Sequence, residues 1–214
     1  NATVYLALPL AQDGNPEFAL SEEGPDEVRA RYALRGFQAF DTHSDSTIAA
    51  ELGIGRLRMK YLLETQELAG YTTLGLVRIT EVQTDRRVLL DERYIPPCLR
   101  ISASAVLANL VSELVGMVAQ RAEALAARLG QPGARGVADV ADFLLLQSLN
   151  RWQPLLAHWA DAGNVHPEEL FAALVQMAGE WATFSASNRR ASTYPAYRHD
   201  DLQRCFSAVV ADLR

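Results

Sequence analysis

An α+β fold, an antiparallel β-sandwich followed by an antiparallel four-helix bundle, is predicted from three features of the 214-residue sequence. Residues 1–97 hold short runs of alternating apolar and polar residues rich in Val, Ile, Thr and Tyr, separated by Gly, Pro, Asn and Asp. Tyr94-Ile95-Pro96-Pro97 then interrupts the chain, because paired prolines fit neither a helix interior nor a central strand. Beyond it the β-like runs stop, and apolar residues recur at helical spacing to the end. Two domains are expected, 1–97 and 98–214.

In the first domain, Thr3 to Leu8 alternates and stops at Pro9, and 11–24 has the composition of an exposed loop. Arg29 to Phe37 alternates again. Leu57 to Leu63 and Tyr71 to Val82, separated by Gly70, are expected to pair with each other, and Thr84 to Arg87 forms a polar turn before Val88-Leu89-Leu90. Gly53-Ile54-Gly55 reads as turn chemistry, since it completes no phosphate-binding or dinucleotide motif.

In the second domain, Ser102 or Ser104 caps a helix whose Leu107, Leu110, Val111, Leu114, Val118, Leu125 and Leu129 face inward, and Gly130, Pro132 and Gly133 stop it. Its roughly 26 residues span about 40 Å. A second helix starts near Asp139 with an inward stripe of Phe143, Leu146, Leu149 and Leu156, and Pro154 is expected to kink or break it. His166-Pro167-Glu168-Glu169 opens a third, with proline at the first helical position and carboxylates at the positive end of the dipole. Its stripe is Leu170, Leu174, Ala178 and Trp181. Asp200 and Asp201 cap a fourth, carrying Leu202, Cys205, Phe206, Val209 and Leu213 on one face.

Composition restricts the function. A net charge of −6, with 15 acids against 10 bases in residues 1–97 and 11 against 10 thereafter, argues against a nucleic-acid or anionic-membrane partner. No run approaches a membrane span. Two cysteines do not make a disulfide framework, so a reduced, cytoplasmic compartment is expected. The chain starts with Asn1 inside a strand-like run, and it is therefore expected to begin partway through a domain.

Few residues suggest chemistry. His158, His166, His199, Asp200 and Asp201 are the metal-ligand candidates, and a metal-dependent helical hydrolase using His199 and Asp200 is the alternative function they support. The spacing is poor for it: no Glu-x-x-His pair occurs, and these residues are accounted for as helix caps. Cys98 has no neighbouring histidine and Cys205 lies in an apolar stripe, so both read as core thiols. A small-molecule sensor is a third possibility that no residue singles out. No catalytic residue, metal or cofactor is expected. Arg189 and Arg190 with Tyr194 and Tyr197 form either a solvated loop or a contact for an anion or a partner. The long apolar faces of the helices suggest subunit contacts through Leu107, Leu110, Leu114 and Val118.

Five blocks in order carry a family resemblance: Leu90 to Cys98 (LDERYIPPC), Asp142 to Arg151 (DFLLLQSLNR), His166 to Leu170 (HPEEL), Ala178 to Phe184 (AGEWATF) and Pro195 to Leu202 (PAYRHDDL). Together they resemble the TssK family of type VI secretion baseplate subunits, also called VasE or ImpJ. The resemblance implies a β-rich shoulder, similar to that of phage receptor-binding proteins, followed by a helical neck. It implies a structural adaptor and not an enzyme. It also implies a homotrimer whose shoulder docks on a TssF and TssG wedge and whose head, expected to be absent from this chain, contacts the TssJ-TssL-TssM membrane complex.

Overall fold

A computed structural model describes residues 1–20, 30–40, 43, 49–130, 137–185 and 187–214. Arg29, Pro132, Gly133 and residues 21–24 of the expected loop lie outside them. The chain divides into two compact units, Asn1–Leu90 and Asp91–Arg214. The division falls before the double proline and not after it. Ile95 explains the shift, because it is buried in the hydrophobic cluster of the helical unit.

The first unit holds two sheets, one of four strands and one of three. The four-stranded sheet contains β1 (Ala2–Pro9), β5 (Lys60–Leu63), β6 (Tyr71–Val82) and β7 (Val88–Leu90) in the order β5-β1-β6-β7, all antiparallel. The expected pairing of β5 with β6 is therefore wrong. Strand β1 lies between them, setting Leu6 opposite both Tyr61 and Leu74.

The other sheet contains β2 (Phe18–Ala19), β3 (Tyr32–Phe40) and β4 (Ala49–Leu57), with β2 parallel to β3 and β3 antiparallel to β4. Here Gly53-Ile54-Gly55 is strand, contrary to the turn expected. The glycines admit large neighbours: a Cβ on Gly53 would sit 2.9 Å from Leu34 Cδ1, and one on Gly55 2.9 Å from Phe18 Cε1. Phe18 stacks on Tyr32 with ring centroids 5.4 Å apart beside that space.

The second unit holds α1 (Ala105–Leu129), α2 (Val137–Ala162), α3 (Pro167–Ser185) and α4 (Leu202–Leu213), preceded by a 3-10 turn at Ile101–Ala103. Local chemistry determines most of the helix starts. Ser104 Oγ accepts from the Leu107 N–H, His166 Nδ1 from the Glu168 N–H, and Asp201 Oδ1 from the Arg204 N–H. Asp139 lies inside the first turn of α2 instead of capping it, and α2 continues as helix through Pro154. Gly163, at a φ of +62°, ends α2 in the left-handed region. Its carbonyl accepts from the Ser102 N–H, and that of Val165 from the Ile101 N–H, which pins the 3-10 turn to the α2–α3 loop.

One apolar cluster fills this unit. The inward faces of α1, α3 and α4 are those expected, except that Leu129 is only half-buried. The face of α2 is different. Leu145, Leu149, Trp152, Leu156 and Trp159 are buried, whereas Phe143 is 63% exposed and Leu146 half-buried. Leu149 and Leu156 belong to both stripes, and Trp152 and Trp159, which the expected stripe left out, turn the buried face toward Leu145 and away from Phe143.

A polar network joins α2 to α3. Glu180 Oε2 accepts from Trp152 Nε1 at 2.9 Å and from Ser148 Oγ at 3.0 Å; Ser148 Oγ in turn accepts from Trp181 Nε1 at 3.2 Å. Arg151 pairs with the other carboxylate oxygen. Both indole N–H groups thus keep partners on folding, as amphipathic aromatic side chains in a core require.

Two stability outcomes follow from this packing. Leu149→Ala should cost about 2–5 kcal/mol through its cavity, whereas Phe143→Ala should change stability by less than about 0.5 kcal/mol; denaturant melts of the two variants check the rotated face of α2. Glu180→Ala strands the Trp152 N–H and should cost about 1–3 kcal/mol, with Glu180→Gln, which keeps an acceptor, costing less.

Candidate functional site

The residues singled out in the sequence occupy three separate settings. Leu107, Leu110, Leu114 and Val118 are 0%, 7%, 2% and 0% exposed and belong to the chain's own helical cluster. Those side chains are used inside the unit, so an intermolecular contact along α1 would fall on its other faces. Arg189 and Arg190 are exposed, the first with φ of +53°, and Asn188 Oδ1 accepts the Arg190 N–H.

Tyr194 and Tyr197 face inward from the loop before α4. Tyr194 OH donates to Asp212 Oδ2 at 2.7 Å, and burial followed by that carboxylate pushes its pKa up to about 12. Tyr197 sits 5.7 Å from the Phe171 ring, and burial, then the charge of Glu168, also pushes its phenol up to about 12. Both anchor the loop to the helices.

The histidine and aspartate candidates lie at one end of the helical unit. His166 and His199 stack with centroids 5.1 Å apart and 10° between planes, and His199 Nδ1 is 2.8 Å from Tyr197 OH. The other groups already have local roles. His166 caps α3 and Asp201 caps α4, as described above. Arg198 grips both oxygens of Asp200, and that hydrogen bonding holds the carboxyl below its ordinary range. His158 is exposed on α2. Among the described residues no three His, Cys, Asp or Glu side chains come together as a metal-binding group. Burial raises the pKa of the Cys98 thiol, and Cys205 is 1% exposed, with its sulfur accepting from the Arg198 N–H. The environment of Cys98 therefore works against a thiolate.

Surfaces remain, and sequence reading missed the most distinctive of them. In the helical unit a cleft of about 700 Å³ lies between α1 and α4, floored by Ile95, Val106, Leu110, Phe206 and Val210. Arg214 bridges to both oxygens of Glu113 beside it, at 3.0 and 2.8 Å.

The four-stranded sheet of the first unit is more unusual. Its register places Ala2, Val4, Leu6 and Leu8 of β1 on one face with Tyr61 and Leu63 of β5. Thr72, Leu74, Val77 and Ile79 of β6 continue that face, and Val82, Val88 and Leu90 complete it across β6 and β7. It contains no charged residue. Six of its side chains are open to solvent: Tyr61 (71%), Val82 (61%), Val88 (49%), Leu90 (48%), Leu74 (43%) and Leu63 (38%).

The opposite face holds the sheet's buried residues, Thr3, Ala7, Pro9, Leu62 and Gly75, and also its charges, Lys60, Arg78 and Glu81. An antiparallel sheet with one wet face ordinarily turns its polar side outward. Here the arrangement is reversed. The available signal was that β1 and β6 carry apolar residues at both parities, which one-sided burial does not require.

Comparison with known proteins completes the description. Residues 1–214 match the family described as "Bacterial Type VI secretion, VC_A0110, EvfL, ImpJ, VasE". The type VI secretion system baseplate component TssK1 of Pseudomonas aeruginosa is 40% identical over 211 residues, covering 99% of this chain and 47% of that protein. A crystal structure of TssK superposes with a TM-score of 0.93 at 35% identity, over 100% of this chain and 50% of the other. A chain in a cryo-electron microscopy structure of the TssK-TssF-TssG baseplate subcomplex superposes at 0.81 with 26% identity, covering 99% of this chain and 66% of its own. The chain spans about half the length of the curated relative. With its whole length matched and both units retained in the superposition, the chain belongs to the VasE/ImpJ (TssK) family of bacterial type VI secretion proteins.

Proposed function

We propose that this chain is the shoulder-and-neck part of a cytoplasmic type VI secretion baseplate adaptor, which acts as a homotrimer and links a TssF/TssG wedge to a TssJ-TssL-TssM membrane complex. In this reading the first unit is a β-sandwich shoulder and the second a four-helix neck. Contact with the membrane complex belongs to portions of the family's proteins outside the span of this chain.

The observation that carries the reading is the match of nearly the whole of this chain to about half of TssK1, a baseplate component, supported by the similarity to TssK as found with TssF and TssG. The site chemistry is in keeping with it. His166 and Asp201 serve as caps, Asp200 as an ion-pair partner and Cys205 as a core group, leaving the work to surfaces. No helix among the described residues is long and apolar enough to cross a membrane. The helical unit has a continuous apolar cluster, and the hydrogen bonds among Glu180, Ser148, Trp152 and Trp181 favour one α2–α3 register, as a connecting element requires.

The direct test is to co-express the full-length protein with the TssF and TssG of its own system and purify by a tag on TssG. All three should elute in one complex that survives moderate salt. A TssF-TssG complex that forms without this protein, with no binding when purified protein is added back, would overturn the adaptor reading.

A further inference from the structure

Two histidines that the proposed function leaves unused meet at one end of the helical unit. His166 immediately precedes α3, and His199 lies in the loop that leads to α4. Both are half-buried, and their rings stack with centroids 5.1 Å apart and planes 10° from parallel. Each also uses its Nδ1 in a hydrogen bond, at 3.2 Å to the Glu168 nitrogen for His166 and at 2.8 Å to Tyr197 OH for His199. The stack thus ties the start of α3 to the loop before α4.

These contacts select a protonation state. A backbone N–H only donates, so the His166 cap exists only while Nδ1 presents its lone pair. A proton there removes the cap and sets a cation against the positive end of the α3 dipole. Tyr197 keeps its hydroxyl proton at neutral and acid pH, because burial pushes the phenol up to about 12. It donates to a neutral His199 and must reverse its role for a charged one. Two charged rings stacked face to face would also repel each other.

The surrounding charges do not offset this. Glu168 and Glu169 in the first turn of α3 favour a charged His166, but both are exposed and act through solvent. On the loop, Asp200 is engaged by Arg198 through both oxygens, and Asp201 Oδ1 is engaged by the Arg204 N–H. On α2, His158 and Asp161 are exposed. The 3-10 turn has no titratable side chain, and Arg100 before it is exposed. Acid places no charge on the thiols of Cys98 and Cys205, the other groups felt at Tyr197.

We infer that the stacked pair of His166 and His199 is a proton-operated clasp, which holds the α4 loop against the start of α3 at neutral pH and releases it on acidification. An imidazole ordinarily takes up its proton near about pH 6.5. The geometry requires the unprotonated ring, so the clasp is closed above that range and opens below it. Release is local, since Tyr194 stays tied to Asp212 and the apolar cluster is untouched.

The test uses the full-length protein and hydrogen exchange read by mass spectrometry at about pH 7.5 and about pH 5.5, corrected for the intrinsic pH dependence of exchange. In the wild type, opening of residues 195–201 should rise about fivefold in acid, the equivalent of one lost cap, with α1 unchanged. His166→Asn keeps a capping acceptor that takes up no proton and should show no such rise. His199→Gln keeps an acceptor for Tyr197 without a charge and should show a smaller one.

Acid effects from carboxylates are common to all three proteins, so the differences between them isolate the rings. An equal rise in wild type and both variants would overturn the inference. So would slower opening of the wild type in acid, which would show the glutamates holding a charged ring. Should His166→Asn fail to fold, the wild type and His199→Gln decide: equal responses in those two overturn the clasp, and a smaller one in His199→Gln supports it.

Discussion

The pairing of β1 on both of its edges is the constraint on which the first unit depends. With β5 on one side and β6 on the other, eight residues of β1 determine the facing of the whole sheet, because side chains alternate and a slip of one residue would exchange the two faces. The register that forms turns Thr3, Ala7 and Pro9 to the buried side and Val4, Leu6 and Leu8 to the open one. A bulge between β1 and β6 at Val4/Tyr5 falls within this pairing, yet Val77 and Leu74 remain on the same face on either side of it. Glu64 reinforces the edge by accepting the Thr3 N–H at 3.0 Å, a bond that holds its carboxyl below the ordinary range. The apolar face is thus a consequence of register and not an accident of composition.

The helical unit is organised differently. Its specificity comes from a few polar groups set in an apolar interior. The indoles of Trp152 and Trp181 could pack in many orientations as hydrophobic bodies, but their N–H groups must end on acceptors, and Glu180 and Ser148 provide them. The 3-10 turn performs a similar role at the other end of α2, where the Gly163 carbonyl takes the Ser102 N–H and a Cβ on Gly163 would sit 3.1 Å from Ser102 Cβ. Ile95 closes the same cluster, which is why the segment after Leu90 belongs to the helices and the proline pair lies within their unit.

These differences explain what could be read from sequence. The caps at Ser104, His166 and Asp201 were legible because capping is local: one side chain meets a backbone N–H two or three residues away. The α4 stripe from Leu202 to Leu213 was legible because the helical period had no competitor there. Strand pairing was not. Whether Leu57–Leu63 meets β6 or β1 depends on which partner buries more area, and nothing within either run records it. The glycines of β4 misled for a related reason: their role is to make room for Leu34, Phe18 and Tyr32, side chains distant in sequence. Arg189, Arg190, Tyr194 and Tyr197 were grouped by proximity along the chain, but the tyrosine hydroxyls meet Asp212 and His199 while the arginines stay in solvent.

A protein that works by chemistry gathers titratable groups and perturbs them, whereas one that works by connection perturbs few and sorts its surface instead. The largest tyrosine shifts here arise from burial of loop anchors, and the lowered carboxyl of Asp200 is held by Arg198 two residues away. The unusual segregation is of charge between the two faces of one sheet. Lys60, Arg78 and Glu81 share the side whose centre is buried, where Lys60 lies 4.8 Å from the Tyr71 ring centroid. Keeping those charges beside a buried centre has a desolvation cost, and reversing the faces would remove it. The reversal would be favourable for an isolated unit with water on the open side. It is ruled out only if that side must be dry, and a dry side on a sheet requires another surface to lie against it.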